Sequence, residues 1–590
     1  MQNRLSRCAL FVLVVALLVV NVPAPGSPAA LADTFPDRDP IIVVRVYFAD
    51  LAERDRLAVE LGAAEVATTG GYLTVWTDAG GYAALQARGL RVEIDENATE
   101  QANRPVQWGE TFYNGYRTVE ELYARYDQLV AQYPDLVEKQ VIGQSWCALH
   151  VGGCQITNPA LSWDGYDLIV LHITNRAIPG PKPVFWYDSS IHAREIATPE
   201  LAIRYVEWLL GGYNTDADAH WLVDYHDIYV MPIVNPDGRH MVELGDTSPY
   251  YVRKNANYTD GCTYWGDGPG LGTDLNRNFP FLWGCCGGSS GSACNEVYRG
   301  HAAGSEPEIQ AITTTLSALF PDQRGPGIGD PAPVTTTGVI QSVHTVAELN
   351  LYPWGWTDNP TPNGADMANI ARHMSAVNAG GNGYTACQPG VCLYNVDGGS
   401  FDWQYGELGV PSFSTELGGS GFLPDYSEIN GLWLDNKGML IYLAKIARTP
   451  YLLAHGPDAS NAAGSPVTVT QGVTLTINAT INYAWTGNAF SQNVAAAELY
   501  VDTPPWAGGT PVAMTAADGA FSGPTEAVTG QVPTLSLAPG RHTVFVRGRG
   551  VNDYAGYQSW GPVTATFVWV TPGVLTYRVY LPVAQLNAHP

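Results

Sequence analysis

At 590 residues the chain is long enough for several domains rather than one. Hydrophobic residues make up 46% of it and charged residues 15%, which excludes wholesale disorder and predicts packed cores. Its 56 acidic residues outnumber 30 basic ones, and a formal charge of −26 repels phosphate backbones, so no nucleic-acid partner is expected.

The first element is a targeting segment. Arg4 and Arg7 precede an apolar run from Ala9 to Val20, and Ala30-Leu31-Ala32 offers a small-residue cleavage site. The run is shorter than the roughly 20 residues a bilayer span needs, so residues 1–32 read as a signal peptide and no stable membrane insertion is expected. Cys8 leaves with that segment. Eight cysteines remain, an even number that in an exported chain predicts up to four disulfides. Cys147/Cys154 and Cys387/Cys392 are natural local pairs. Cys262, Cys285, Cys286 and Cys294 read as bridges in preference to a zinc site.

From Ile41 to Asp95 the pattern reads strand, helix, strand, helix, strand, with Ile41–Phe48 and Tyr72–Trp76 as strands and Leu51–Leu61 as a helix. A polar linker follows near Asn97–Pro105. Residues 33–110 therefore form a small α+β unit that reads as a propeptide, with an accessory domain that stays attached as the other reading.

Residues 111–450 alternate helical and strand patterns. Thr118 and Glu121 form a capping box, and Val119, Leu122, Tyr123, Tyr126, Val130 and Tyr133 line one helical face until Pro134. Strand-like runs follow at Leu168–Ile173, Val184–Tyr187, Ile228–Val234, Gly338–Val343 and Ser412–Thr415. Thr198-Pro199 reads as a cap followed by a first-turn proline. Such alternation predicts an α/β domain with a mixed sheet covered by helices. Residues 451–572 are rich in Thr, Val, Ala and Gly and lack lysine, with short strands at Val467–Thr470, Val473–Tyr483, Glu498–Val501, His542–Arg547 and Thr564–Val570. That is the pattern of an immunoglobulin-like β-sandwich. Residues 573–590 form a tail of no assigned role.

Chemistry concentrates in the α/β region. The strand Val184–Tyr187 runs into His192-Ala193-Arg194-Glu195, and an imidazole and a carboxylate three apart can converge on one zinc ion. Alone the pair is weak, and no HExxH occurs anywhere. Its position strengthens it, because His344 follows the strand Gly338–Val343 and Glu416 follows Ser412–Thr415. Three apolar strands thus deliver titratable groups at their carboxyl ends, the edge where open α/β sheets bind ligands.

With Asn235-Pro236-Asp237-Gly238, Asp274-Leu275-Asn276-Arg277-Asn278, Tyr394 and Thr415-Glu416-Leu417 added, the region from Thr111 to Arg448 resembles the carboxypeptidase A-like zinc carboxypeptidases. The motifs keep the family's order, and Tyr394 and Glu416 keep its spacing. The resemblance implies an α/β/α sandwich around a mixed sheet and one Zn²⁺ bound by His192, Glu195 and His344, with an open fourth position. It makes Glu416 the general base and Arg253 the group that stabilises the oxyanion, with Cys262–Gly272 inserted between Arg253 and Asn276. Asn276 and Arg277 would grip the substrate's C-terminal carboxylate, Arg194 would assist from the entrance, and Tyr394 would cap bound substrate. Phe401 falls at the position that selects the side chain, and an aromatic there supplies no countercharge for Lys or Arg. Asp397 stands near enough in sequence to reach a basic side chain.

The expectation is a secreted, monomeric zinc metallocarboxypeptidase, made as a precursor, acting on C-terminal and mainly apolar residues of peptides and proteins. The alternatives are an amidohydrolase acting on cell-wall or other non-standard peptides, and a catalytically silent peptide-binding module.

Overall fold

A computed structural model describes residues 41–63, 65–67, 70–96, 98–99, 112–150, 152–154, 162–246, 248–262, 270–378 and 383–573. The expected signal peptide, most of the linker, most of the Cys262–Gly272 insertion and the tail from residue 574 lie outside them.

The N-terminal unit comprises β1 (Ile42–Tyr47), α1 (Leu51–Leu61), β2 (Glu65–Ala67), β3 (Tyr72–Thr77), α2 (Ala79–Ala87) and β4 (Val92–Ile94). Its strands form an antiparallel sheet in the order β2-β3-β1-β4. Both helices start on an aspartate, Asp50 and Asp78, whose carboxylate accepts from a backbone N–H of the first turn. The short strand β2 between α1 and β3 was not anticipated.

The central domain begins with α3 (Val119–Gln132), whose Thr118/Glu121 capping box forms as expected. Its buried stripe is Val119, Leu122, Tyr126 and Leu129, so Leu129 takes the place expected for Val130. Tyr123 flanks the stripe and donates its hydroxyl to the Asp167 carbonyl at 2.6 Å. The strands are β5 (Val137–Gln144), β6 (Asp167–Ile173), β7 (Val184–Ser189), β8 (Asp227–Met231), β9 (Val339–Thr345), β10 (Leu349–Leu351), β11 (Thr385–Cys387) and β12 (Ser412–Leu417). They assemble in the order β11-β10-β12-β9-β7-β8-β6-β5, with β12, β9, β7 and β8 mutually parallel at the centre.

The helices are α4 (Ala197–Gly212), α5 (Ala217–Tyr225), α6 (Pro236–Glu243), α7 (Pro307–Leu319), α8 (Gly364–Val377), α9 (Pro389–Cys392), α10 (Ser400–Leu408), α11 (Ile429–Ile446) and α12 (Pro450–Leu453). On one sheet face Leu168, Val170, Trp186 and Ile340 pack against Ile309 and Ile312 of α7 and Trp403 and Leu408 of α10. Each such fully buried side chain contributes about 1.5–3 kcal/mol. On the other face α4 packs on β7 and β9, and α11 on β9. The result is the expected α/β/α sandwich. One local expectation changes, since Thr198 lies inside the first turn of α4 rather than capping it. Its hydroxyl accepts from the Ser190 N–H at 3.0 Å and donates to the Glu195 carbonyl at 2.9 Å, which pins the loop after β7.

The C-terminal domain has eight strands, β13 (Asp458–Ser465), β14 (Thr468–Thr470), β15 (Thr474–Asn482), β16 (Val494–Val501), β17 (Val512–Ala516), β18 (Thr525–Pro533), β19 (Gly540–Gly550) and β20 (Thr564–Thr571), in the order β13-β15-β18-β17-β16-β19-β20-β14. They enclose one apolar core that includes Leu475, Ile477, Leu499, Val544 and Val568. This domain joins the central one through polar contacts. Across the join Asp218 of α5 accepts from the Thr564 hydroxyl at 3.2 Å and the Ala565 N–H at 3.0 Å, and within the central domain it also accepts from Lys445 Nζ of α11 at 2.7 Å. Asn369 of α8 accepts from the Ala489 N–H at 3.1 Å, and Arg372 donates to the Gly487 carbonyl at 2.8 Å.

The four disulfides are Cys147–Cys154, Cys262–Cys294, Cys285–Cys286 and Cys387–Cys392. Both local pairs are as expected, and no thiolate zinc cluster forms from the other four.

Several acids are buried with the core. Burial raises the Glu308 carboxyl from its ordinary value near 4.5 to about 8, with Glu306 and Asp237 adding to the effect. The unfolded chain gives up this proton above about pH 4.5 while the folded chain keeps it to about pH 8, so this group lowers stability as pH rises between those values. Glu308→Gln is expected to shrink the loss of stability between pH 5.5 and 8, by on the order of 1–2 kcal/mol. Thermal denaturation of both proteins at the two pH values measures it, and an unchanged gap would exclude Glu308 as the source.

Candidate active site

The parallel centre of the sheet sets the site. The loop after β7 turns sharply at Ser190, a non-glycine residue with a positive φ of 55°, and delivers His192 and Glu195 above the strand ends. His344 and Glu416 fall inside the last turns of β9 and β12, which run one or two residues longer than expected, and they are direct register partners. The neighbouring strands therefore hold these two side chains side by side.

His192, Glu195 and His344 are all buried, and one ligand atom from each falls within 4.8 Å of the others. His192 Nδ1 lies 2.6 Å from Glu195 Oε1, His344 Nδ1 lies 3.1 Å from Glu195 Oε2, and the two imidazole nitrogens face each other at 3.2 Å. Both Nδ1 atoms and the Glu195 carboxylate thus converge on one small buried volume. Around a cation the two nitrogens become ligands beside a carboxylate, the donor set that zinc takes. The ring nitrogens on the far side are backed. His192 Nε2 lies 3.3 Å from Asp274 Oδ1, and His344 Nε2 lies 3.4 Å from Ser342 Oγ, which donates to Asp188 at 2.6 Å. Such outer partners fix ring orientation.

The charges respond to this crowding. Burial opposes ionisation of Glu195, but His192 and His344 outweigh it and bring the carboxyl down to about 2. Burial also works against the His344 imidazolium, and Glu195 overcomes it and raises the group to about 9. His192 is pushed down by burial and by Arg253.

Arg253 donates through Nε and Nη2 to Asp274 Oδ2 at 3.1 and 2.9 Å. Asp274 thus holds both Arg253 and His192, and it stays ionised far below the ordinary range because Arg253, Arg277 and His192 outweigh its burial. Asn276 is fixed by its Oδ1, which accepts from the Ser400 N–H at 2.9 Å. Arg277 donates Nε to the Gly288 carbonyl at 3.0 Å and directs Nη2 toward the Tyr394 hydroxyl at 3.5 Å. Arg253, Asn276, Arg277, Tyr394, Phe401 and Glu416 line one cavity with His192 and Glu195.

Two expectations need correction. Arg194 does not stand at an open entrance. It is buried between Tyr251 and Phe422, 4.6 Å from each ring, and pairs with Glu296 at 3.0 Å. Asp397 does not face a substrate side chain, because it is buried and accepts from the Cys286 and Gly288 N–H groups and the Ser289 hydroxyl. It ties down the loop whose Gly288 carbonyl orients Arg277. Asp274, Ser342 and Asp188 went unremarked as site residues. Asp274 at least carried a signal, standing two residues before Asn276 in the same motif.

The N-terminal unit closes over this cleft. Arg54 donates to the Gly390 carbonyl at 2.6 Å, Asn395 to Asp55 at 3.2 Å, and Asn295 to the Val59 and Glu60 carbonyls at 3.1 and 3.2 Å. The Tyr394 hydroxyl lies 3.4 Å from the Ala63 carbonyl, and Trp76 stacks on Tyr251 at 3.8 Å. Gly62 ends α1 at a φ of 60° directly over Glu296, where a Cβ would come within 2.4 Å of Glu296 Cβ. Beneath this cover the cavity holds about 50 Å³, room for little more than a water or two.

The family model for zinc carboxypeptidases matches residues 122–438. The zinc carboxypeptidase of Saccharothrix mutabilis subsp. capreolus is 29% identical over 427 residues, covering 68% of this chain and 86% of that one. Carboxypeptidase B2 of Bos taurus is 28% identical over 344 residues, 57% of this chain and 71% of that one. In fold, the chain is similar to the crystal structure of carboxypeptidase A from Helicoverpa armigera, with a TM-score of 0.55, 20% identity, and coverage of 70% of this chain and 99% of that one.

Proposed function

This chain belongs to the zinc carboxypeptidase family and is a zinc-dependent metallocarboxypeptidase, and from that premise we propose that it is a secreted, monomeric enzyme that removes apolar C-terminal residues from peptides and proteins. The observation that carries the reading is one cavity in which His192, Glu195 and Glu416 meet Asn276 and Arg277. His192, Glu195 and His344 would hold the zinc ion, which would supply the Lewis acidity for activating water at neutral pH and polarising the scissile carbonyl.

The protein's own groups do the rest. Glu416 accepts the proton from the attacking water and returns it to the leaving amine. Arg253, kept charged by Asp274, stabilises the negative charge that develops on the carbonyl oxygen. The Arg277 guanidinium, with Asn276 beside it, holds the substrate's terminal carboxylate, which restricts cleavage to the last peptide bond. Tyr394 covers the bound residue.

Apolar selectivity rests on Phe401. The other groups near it in the cavity include Leu351, Val396 and Ser414, and the carboxylates that line the cavity are Glu195 and Glu416, both already engaged in catalysis. Phe401→Asp is expected to move the Leu-to-Lys ratio of kcat/KM by about two orders of magnitude toward Lys. A peptide panel ending in Leu, Phe, Ala, Lys and Glu measures it, and an unchanged ratio would place the selectivity elsewhere.

Export is supported by four disulfides among the described residues and by the basic-then-apolar N-terminus. No helix among the described residues is long and apolar enough to cross a membrane. The N-terminal α+β unit is read as a propeptide that plugs the cleft. Chelator-sensitive release of Leu or Phe from blocked peptides tests the central reading. Release from D-terminated peptides alone would favour the cell-wall amidohydrolase, and zinc binding without hydrolysis would favour a silent binding module.

A further inference from the structure

A second cavity, of about 470 Å³, lies between the central and C-terminal domains. Its size falls in the range of small-ligand sites, and none of its residues belongs to the peptidase machinery. Lys445, Arg448 and Arg547 line it, and no aspartate or glutamate does. In a chain with 56 acidic and 30 basic residues, a wall with three cations and no acid is unusual.

Two of those cations are already neutralised from behind the wall. Lys445 pairs with Asp218 at 2.7 Å and Arg547 with Glu498 at 3.1 Å. Arg448 is different. Its guanidinium lies 4.9 Å over the Trp506 ring and donates only to the Tyr225 carbonyl at 3.4 Å, and among the described residues it pairs with no carboxylate. A half-buried cation without a counter-ion is costly unless an anion completes it. One uncompensated charge asks for one negative charge.

The remaining groups narrow the chemistry. Trp506 and Trp560 offer indole faces, the second also flanked by Arg547 at 4.0 Å. Thr449 adds a hydroxyl and Gln558 its amide Nε2, since the Gln558 Oε1 already accepts from Trp560 Nε1 at 3.0 Å. A phosphate monoester, close to doubly charged at neutral pH, lacks a second free cation here, and a sulfate ester, though singly charged, presents a tetrahedral head where the planar guanidinium fork best matches a planar carboxylate. An aromatic carboxylate satisfies the charge and a ring face but leaves Gln558 and Thr449 without use. A pyranose that carries a carboxylate supplies the single charge, an apolar ring face and hydroxyls for the polar side chains.

We propose that this cavity is a binding site for a sugar acid of the hexuronate type, with its carboxylate on Arg448 and its ring against the indoles of Trp506 and Trp560. The site stands independently of the peptidase reading.

The test titrates the full-length protein with methyl glucuronide, methyl glucoside, benzoate and inorganic phosphate, followed by calorimetry and tryptophan fluorescence. Methyl glucuronide is expected to bind and perturb the emission, with the neutral glucoside weaker by about tenfold or more. Arg448→Gln is expected to lower glucuronide affinity by about tenfold or more while peptidase activity stays at the parent level, which reports a folded chain. Should that variant fail to fold, Gln558→Ala is expected to weaken the glucuronide severalfold. The proposal is overturned if the glucuronide does not bind, if it binds no better than the glucoside, or if the folded variant binds it as the parent does. Tighter binding of benzoate or phosphate would equally overturn it.

Discussion

Replacing Glu416 by Gln is expected to slow release of C-terminal residues by roughly three orders of magnitude, the middle of the range for loss of a general base. The substitution keeps the shape of the side chain and removes its capacity to take a proton. β12 pairs with β9 through backbone hydrogen bonds that the change leaves alone, and the Glu416 position stays beside His344. Zinc content and thermal stability should therefore match the parent, and metal analysis with a melting curve checks both. The loss should fall on kcat rather than KM, because the amide still fills the space beside the substrate. A variant that retains a tenth of parent activity would mean that another group moves the proton.

Cleaving the chain between residues 97 and 111 is expected to raise peptidase activity by about a hundredfold or more, the gain when a plug closed about 99% of the time departs. The contacts that argue for this fall on Tyr394, the residue proposed to cover bound substrate, and on its neighbours around the cleft. Tyr394 meets Ala63, Asn395 meets Asp55, and Trp76 lies on Tyr251, which in turn stacks against Arg194. Val44, Val46, Leu57 and Leu73 of the N-terminal unit also share an apolar cluster with Tyr394. While covalently tethered, the unit sits at an effective concentration in the millimolar range, so modest contacts suffice to hold it. Limited proteolysis followed over time with a peptide ending in Leu measures the release. In the uncut chain Trp76→Ala should raise the basal rate. Equal rates before and after cleavage would make the unit an accessory domain.

The sequence made most of the cleft legible because its ligands sit at strand ends, where a short apolar run followed by His or Glu leaves a local trace. His192, Glu195, His344 and Glu416 are of that kind. Residues whose role depends on a distant partner left none. Arg194 looks like a free cation in the chain and is buried by partners far along it, Tyr251, Phe422 and, 102 positions later, Glu296. Asp397 follows the same logic, since its three donors come from the loop 286–289, which lies more than a hundred positions earlier. In the C-terminal domain β13 was missed because Asp458–Ser465 consists of Asp, Ala, Ser, Asn and Gly, residues with weak strand preference. Pairing with β15 makes it a strand. The helix α3, by contrast, carries its cap, stripe and stop between Thr118 and Pro134, and only the angle of its buried face differs from the expectation.

The join between the central and C-terminal domains decides how the enzyme meets its surroundings. α11 ends at Ile446 and β13 starts at Asp458, and the short interval carries α12 and the buried side chains of Tyr451 and His455, so no slack tether separates the two parts. Asp218, Asn369 and Arg372 stitch them along their sides. A catalytic head on a slack leash samples every direction and trims whatever chain end drifts past. Here the C-terminal domain behaves as a mount rather than a leash. Anything it grips fixes the bearing of the cleft, so that only chain ends rising from the gripped surface at one height and angle come within range.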